Sequence, residues 1–175
     1  MSETKGFSLI ETLVAITVLI GAIAGPLTLA SQGIKAASLF KNQLIASNLA
    51  QEGMELVHAK RDANILQGKG WMDGITDVCG GSECFIRYTP TDNSASQINF
   101  GLCDGSCPKF YITPEGWYVQ KKTGDAGDNE TIFQRAIQVT QIVPSKEVKV
   151  KTTVSWPERF SAITFDLEEH LLKWP

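Results

Sequence analysis

Glu11 sits in an expensive setting for an ionisable residue. It lies near the start of an apolar run that opens at Phe7, and no other charge follows between Thr12 and Ile34. A carboxylate at the centre of a bilayer helix costs on the order of 2.5–3.5 kcal/mol. Near one end the cost is lower. Glu11 therefore reads either as an interfacial acid or as half of an ion pair whose cation comes from another chain. Four cysteines form a second set: Cys79, Cys84, Cys103 and Cys107. They allow three disulfide pairings. Cys79 with Cys84, and Cys103 with Cys107, each bracket a short loop, and these are the expected oxidised pairs in an exported domain. Zinc is the alternative, but its usual C-x2-C spacing is absent.

The remaining candidates are weaker. Asp125, Asp128, Asn129 and Glu130 supply oxygen ligands of the kind calcium takes, but without the spacing of an EF-hand they read better as a solvated polar loop. His58 and His170 are the chain's two histidines, with no metal-ligand pattern beside either. No nucleophile elbow and no phosphate-binding glycine loop occurs, so the expectation is a non-enzymatic protein without a resident metal or cofactor. The net charge of −3 and a pI near 5.4 give no basic footprint for nucleic acid. Lys146, Lys149 and Lys151 are the one local exception, and they read better as lysines guarding an edge strand than as a DNA strip. Trp71, Trp117, Trp156 and Trp174 could stack on a ligand, but Trp156 occupies an inward strand position and reads as core.

These residues need a long helix and a sheet to hold them. From Phe7 to about Ile65 the pattern is helical, with Gly21, Gly25, Pro26 and Gly33 as interruptions. Pro26 predicts a kink or local melting near Ala22 to Pro26. The uncharged stretch is long enough to cross a bilayer core, which takes about 20 apolar residues. Beyond Lys35 the helix becomes amphipathic, and Leu49, Gly53, Leu56 and Val57 with Ala63 form one stripe for a domain to cover. Glycines from Gly68 to Gly81 end the helix.

Short strands follow at Phe85 to Thr89, Phe110 to Thr113 and Trp117 to Lys121, the last two joined by the turn Pro114-Glu115-Gly116. Thr131 to Ile142, Val148 to Trp156 and Ala162 to Leu167 alternate as half-buried strands. Their connections, including a turn at Pro157-Glu158-Arg159, are short enough to demand an antiparallel meander.

Lys5-Gly6-Phe7-Ser8-Leu9-Ile10-Glu11, followed by the apolar run, resembles the processing site of type IV prepilins and of type II secretion pseudopilins. The stretch Asn48 to Glu55 is also similar to one recurrent in minor pilins. The resemblance implies that a membrane aspartyl prepilin peptidase cuts after Gly6 and N-methylates Phe7. It implies that Glu11 pairs with the new amino terminus of a neighbouring subunit.

The implied fold is α+β and pilin-like, a long N-terminal transmembrane helix packed on a C-terminal antiparallel sheet. Its parts would be a leader at 1–6, a transmembrane and assembly helix at 7–34, an amphipathic continuation at 35–67 and a globular β domain with disulfide loops at 68–175.

The implied role is a structural subunit, a minor pilin, of a type IV pilus (fimbrium) or related filament. Its partners would be the prepilin peptidase, other pilin subunits, the assembly platform and ATPase, and the membrane, with nucleic acid not expected among them. Before assembly the chain would span the inner (cytoplasmic) membrane once with its N-terminus cytoplasmic. Afterwards it would lie in an extracellular pilus or a periplasmic, cell-envelope filament. A type II secretion pseudopilin, or a DNA-uptake or adhesive tip pilin, is the alternative. So is a plain anchored domain, or a conventional signal peptide cut near Ala22-Ile23-Ala24.

Overall fold

The computed structural model describes residues 6, 8–88, 98–121, 124–158 and 161–173. Phe7, the leader residues 1–5, Thr89, Arg159 and Trp174, all named above, lie outside them. One helix, α1 (Leu9–Leu66), precedes a four-residue helix α2 (Thr76–Cys79) and seven strands. The strands are β1 (Cys84–Arg87), β2 (Asn99–Leu102), β3 (Lys109–Ile112), β4 (Tyr118–Gln120), β5 (Asn129–Val143), β6 (Glu147–Glu158) and β7 (Ser161–Leu172). The chain divides into two compact units between Asn42 and Gln43. This is an α+β architecture, a long N-terminal helix packed on an antiparallel sheet, the layout expected of a pilin-like fold.

The first unit is helical from Leu9 onward, and its apolar side chains are exposed. No break occurs at Pro26, contrary to the melting expected there. A proline removes one amide donor, and the turns on both sides stay hydrogen-bonded, so the helix tolerates the loss.

In the second unit α1 buries Ala46, Leu49, Ala50, Gly53, Met54, Leu56 and Val57 at three- and four-residue spacing. Asn64 rather than Ala63 is the buried residue of the last turns. Its amide donates to the carbonyls of Asp73 at 2.9 Å and Trp71 at 3.4 Å. Gly68, at φ +68°, ends the helix. Lys69 N–H reaches the Asn64 carbonyl and Gly68 N–H the Ile65 carbonyl, the bond pair of a Schellman stop.

The sheet is built around β5. One edge of β5 pairs with β6 from Gln134 to Val143, and the other is shared by β3 and by β1 at Ile137. β2 and β4 extend those two short strands, and β7 extends β6. Alternation makes the inner face apolar: Phe133, Ile137 and Val139 on β5, and Val148, Val150, Val154 and Trp156 on β6, are buried. Ile163, Phe165 and Leu167 on β7 are half-buried on the same side.

Two features depart from the sequence-based reading. β6 is not an edge strand. It lies between β5 and β7, so Lys149 and Lys151 guard no edge and instead face carboxylates of β7 across the ladder. Pro157 and Glu158 belong to β6 rather than to a turn. Pro157 fits because the β5 ladder ends at Ser155, and its missing N–H deprives no neighbour of a bond.

Gly53 is a buried helix position with sheet side chains packed directly against it. A Cβ there would lie 2.9 Å from Arg135 Cδ and 3.2 Å from Thr152 Cγ2. Gly53→Ala gains about 1 kcal/mol of helix propensity but forces a buried arginine and a buried threonine to shift. A net destabilisation of about 1–2 kcal/mol is expected, read as a lowered denaturation midpoint at unchanged m-value. A raised midpoint would show that Arg135 relaxes freely.

Candidate functional site

The first candidate is the start of α1. Ser8 precedes the helix, and its carbonyl accepts from Glu11 N–H at 3.0 Å and Thr12 N–H at 3.2 Å. Glu11 is thus the third helical residue, in the first turn. A carboxylate there is favoured by the positive end of the helix dipole. Serine three positions before glutamate is also the spacing of a capping box. Gly6 lies just outside the helix and is exposed. Among the described residues Glu11 has no cationic partner within the chain. Phe7, the other half of the expected processing site, lies outside them.

The uncharged segment is built for an apolar surrounding. From Thr12 to Ile34 a helix spans about 33 Å at 1.5 Å per residue, against a hydrocarbon core of about 30 Å. None of its most apolar window is buried within the chain. Its hydroxyls are satisfied locally: Thr12 donates to the Leu9 carbonyl at 2.8 Å, Thr17 to Val14 at 2.8 Å, Thr28 to Ala24 at 2.9 Å and Ser31 to Thr28 at 3.0 Å. Such bonds let polar residues enter lipid without stranded donors. A single apolar N-terminal helix of this kind is compatible with a single-pass membrane protein.

The cysteines are joined as Cys79–Cys84 and Cys103–Cys107, with Cα separations of 5.2 and 4.6 Å. The first ties α2 to the start of β1 and is completely buried. The second closes the loop after β2, and Cys107 Sγ lies 3.8 Å from the Cys84 carbonyl oxygen, so the two staples adjoin. Each short loop contributes about 2 kcal/mol in the chain-entropy account.

The polar loop considered for calcium is organised by lysines. The Lys121 ammonium bridges Asp125 and Asp128, and Asp128 Oδ2 also accepts from Asp125 N–H at 2.8 Å. Glu130 pairs with Lys109 and accepts from the Tyr111 hydroxyl at 3.3 Å, while Asn129 opens β5. Among the described residues no group of three or more acidic, histidine or cysteine side chains is arranged to hold a metal. The Lys121 hydrogen bond, and next the Asp125 amide, hold the Asp128 carboxyl below its usual range.

A depressed carboxylate stabilises the fold above its unfolded pKa, and that contribution is lost as pH falls through the lowered folded value. The loop is therefore expected to hold down to about pH 4 and to loosen below it. Amide exchange at Asp125 is the readout, and the same acid response in Asp128→Asn would contradict the assignment.

The histidines lie at the β7 side. His58 Nε2 is 3.3 Å from Glu169 Oε1, without the alignment of a hydrogen bond, and His170 Nδ1 is 2.7 Å from Glu147 Oε1. Trp156 and Trp71 are core residues, and Trp117 is 54% exposed beside the β3–β4 turn.

The sequence reading passes over Arg135. Its side chain is buried, with Nη1 donating to the Leu49 carbonyl at 2.7 Å and lying 3.2 Å from Glu52 Oε2. Its guanidinium sits 4.9 Å from the centre of the Phe110 ring. Burial pushes its pKa down and the nearby Glu52 carboxylate opposes that shift. The signal was available in the strand's phase, since alternation places position 135 inward with Phe133 and Ile137. No family model matches the chain, and no curated protein or solved structure matches it.

Proposed function

We propose that this chain is a structural subunit, a minor pilin, of a type IV pilus or related filament. The observation that carries the reading is one uninterrupted helix used in two ways. Its first part, with Glu11 in the opening turn, is apolar and uncovered within the chain, and its second part is packed under an antiparallel sheet. An exposed apolar helix this long needs lipid or other such helices around it, and a filament core supplies the second after the membrane supplies the first.

In this reading the prepilin peptidase removes residues 1–6 and methylates Phe7, and the chain waits as a single-pass protein of the inner membrane. The platform and its ATPase then move it into the filament, where Glu11 meets the Phe7 amine of a neighbour. The sheet domain forms the outer surface and carries no catalytic role.

Intact mass of the membrane protein purified from its own host is the test. The expected species lacks residues 1–6, carries one methyl group and has two disulfides. Gly6→Leu should leave the leader attached, because the bulkier side chain blocks the cut. Normal processing of Gly6→Leu, or a wild-type protein that retains residues 1–6, would overturn the reading.

A further inference from the structure

We propose that the open edge of β7 is a docking strand for an extended segment of another protein, one that alternates apolar with basic residues. Lys173 N–H donates to the Lys146 carbonyl at 2.8 Å, one step beyond the Glu147–Leu172 pair of the β6–β7 register. Bonded and non-bonded pairs alternate in an antiparallel ladder. The odd residues Ile163, Phe165, Leu167, Glu169 and Leu171 therefore bond to β6. The even residues Ala162, Thr164, Asp166, Glu168 and His170 aim their N–H and C=O groups away from it. Pro157 agrees with this phase: its partner is Ala162, an even residue, so its missing N–H is not needed on the β7 side.

Among the described residues no strand takes up those outward groups, and the even residues are all exposed. Sheets normally blunt such an edge with short strands, bulges, proline or lysine. The other outer strands are short, β2 having four residues and β4 three. β7 has twelve residues, an unbroken register, and no proline or lysine within Ser161–Leu172. Its guards are the inward-pointing Glu169 beside His58 and the exposed carboxylates of Asp166 and Glu168, which repel acidic strands but not basic ones. The Glu169 charge confines docking to the stretch from Ala162 to Glu168.

The chemistry of the occupant follows from what β7 presents. Its inner face offers Ile163, Phe165 and Leu167, half-buried and packed on the core. Its outer face offers Asp166 and Glu168, with side chains 43% and 45% exposed. β6 already displays the complement, with Val148, Val150, Val154 and Trp156 inward and Lys149 and Lys151 outward. Lys151 Nζ is 3.0 Å from Asp166 and Lys149 Nζ is 3.6 Å from Glu168. A second strand of the same alternation repeats these pairings on the open side, with backbone bonds giving affinity and the alternate side chains giving selection.

The probe is a fluorescent peptide with the β6 sequence Val148–Trp156, titrated by anisotropy into the full chain in detergent micelles. Saturable binding is expected. Exchanging both peptide lysines for glutamate should weaken it at least tenfold. N-methylation of one alternating set of peptide amides should abolish binding, while the other set is tolerated. Thr164→Pro, which removes an outward N–H and leaves the β6 ladder intact, should also weaken binding at least tenfold, with amide protection at Phe165 and Leu167 retained. Absence of saturable binding overturns the proposal, as do equal effects of the two methylation sets or indifference to the lysine exchange. Efficient Thr164→Cys crosslinking between copies at the same edge also overturns it, since the occupant would then be a second copy of this chain.

Discussion

Glu11→Ala should insert, be cleaved and fold as wild type does, yet enter filaments at least about tenfold less well. The asymmetry follows from placement. The buried core of the second unit begins at Ala46, and Glu11 belongs to the first turn of a helix whose surroundings there are not supplied by its own chain. In a filament core an ionised carboxylate is costly unless a cation meets it, and the amine of a neighbouring Phe7 is the proposed one. Tenfold corresponds to about 1.4 kcal/mol, a modest share of what a desolvated pair contributes. The measurement is the ratio of sheared, filament-bound protein to membrane-bound protein. An unchanged ratio removes the pairing role. It would leave Glu11 as an interfacial acid favoured by the helix dipole, or mark this chain as a tip subunit with no neighbour to pair.

Arg135→Ala should destabilise the sheet domain by about 3–5 kcal/mol. Against a typical total of about 5–15 kcal/mol, few other single changes outside the disulfides would cost as much. The substitution empties a buried volume between Phe110 and the helix, removes the bond to the Leu49 carbonyl and breaks the pairing with Glu52. Arg135→Met should cost much less, about 1–2 kcal/mol, because it keeps most of the packing and removes a charge that is expensive to bury. Glu52 does not become a buried orphan in either variant, since its side chain is 38% exposed. Guanidinium denaturation of the three proteins gives the order. Equal losses for alanine and methionine would mean that the ion pair and hydrogen bond, not the packed stem, hold the helix to the sheet.

The elements that could be read from the chain alone are those whose pattern is both long and local. The helix declares itself through tens of residues without a strand-like alternation, and β5, β6 and β7 through apolar residues at every second position. β2 does not, because Gly101 replaces one side chain of a four-residue strand and packs its backbone against the Phe85 ring. α2 is too short to show a helical period. The end of β7 is hidden because Glu168, Glu169 and His170 look like a polar tail. They become strand residues only when their partners, Lys149, His58 and Glu147, are supplied by other elements.

The same holds for the lysines of β6. Lys149 and Lys151 alternate outward on any sheet, and nothing local tells a central strand from an edge. At the start of α1 Glu11 stands out because it is a lone acid at the head of an uncharged run. The Lys121 cradle was not legible, because nothing local in a polar loop tells which lysine its acids will meet.

The bond between Arg135 and the Leu49 carbonyl joins residues 86 positions apart. That separation sets an order of events. The helical stripe ending at Val57 is synthesised first, and the strands that cover it, through Trp156, arrive about 5–20 s later at ordinary elongation rates. Closing so long a loop precedes any gain from the contacts it brings together, which slows folding. During that interval the stripe has neither lipid nor sheet against it. Completion of the last three strands, rather than formation of the helix, therefore fixes the moment at which the domain becomes resistant to proteases.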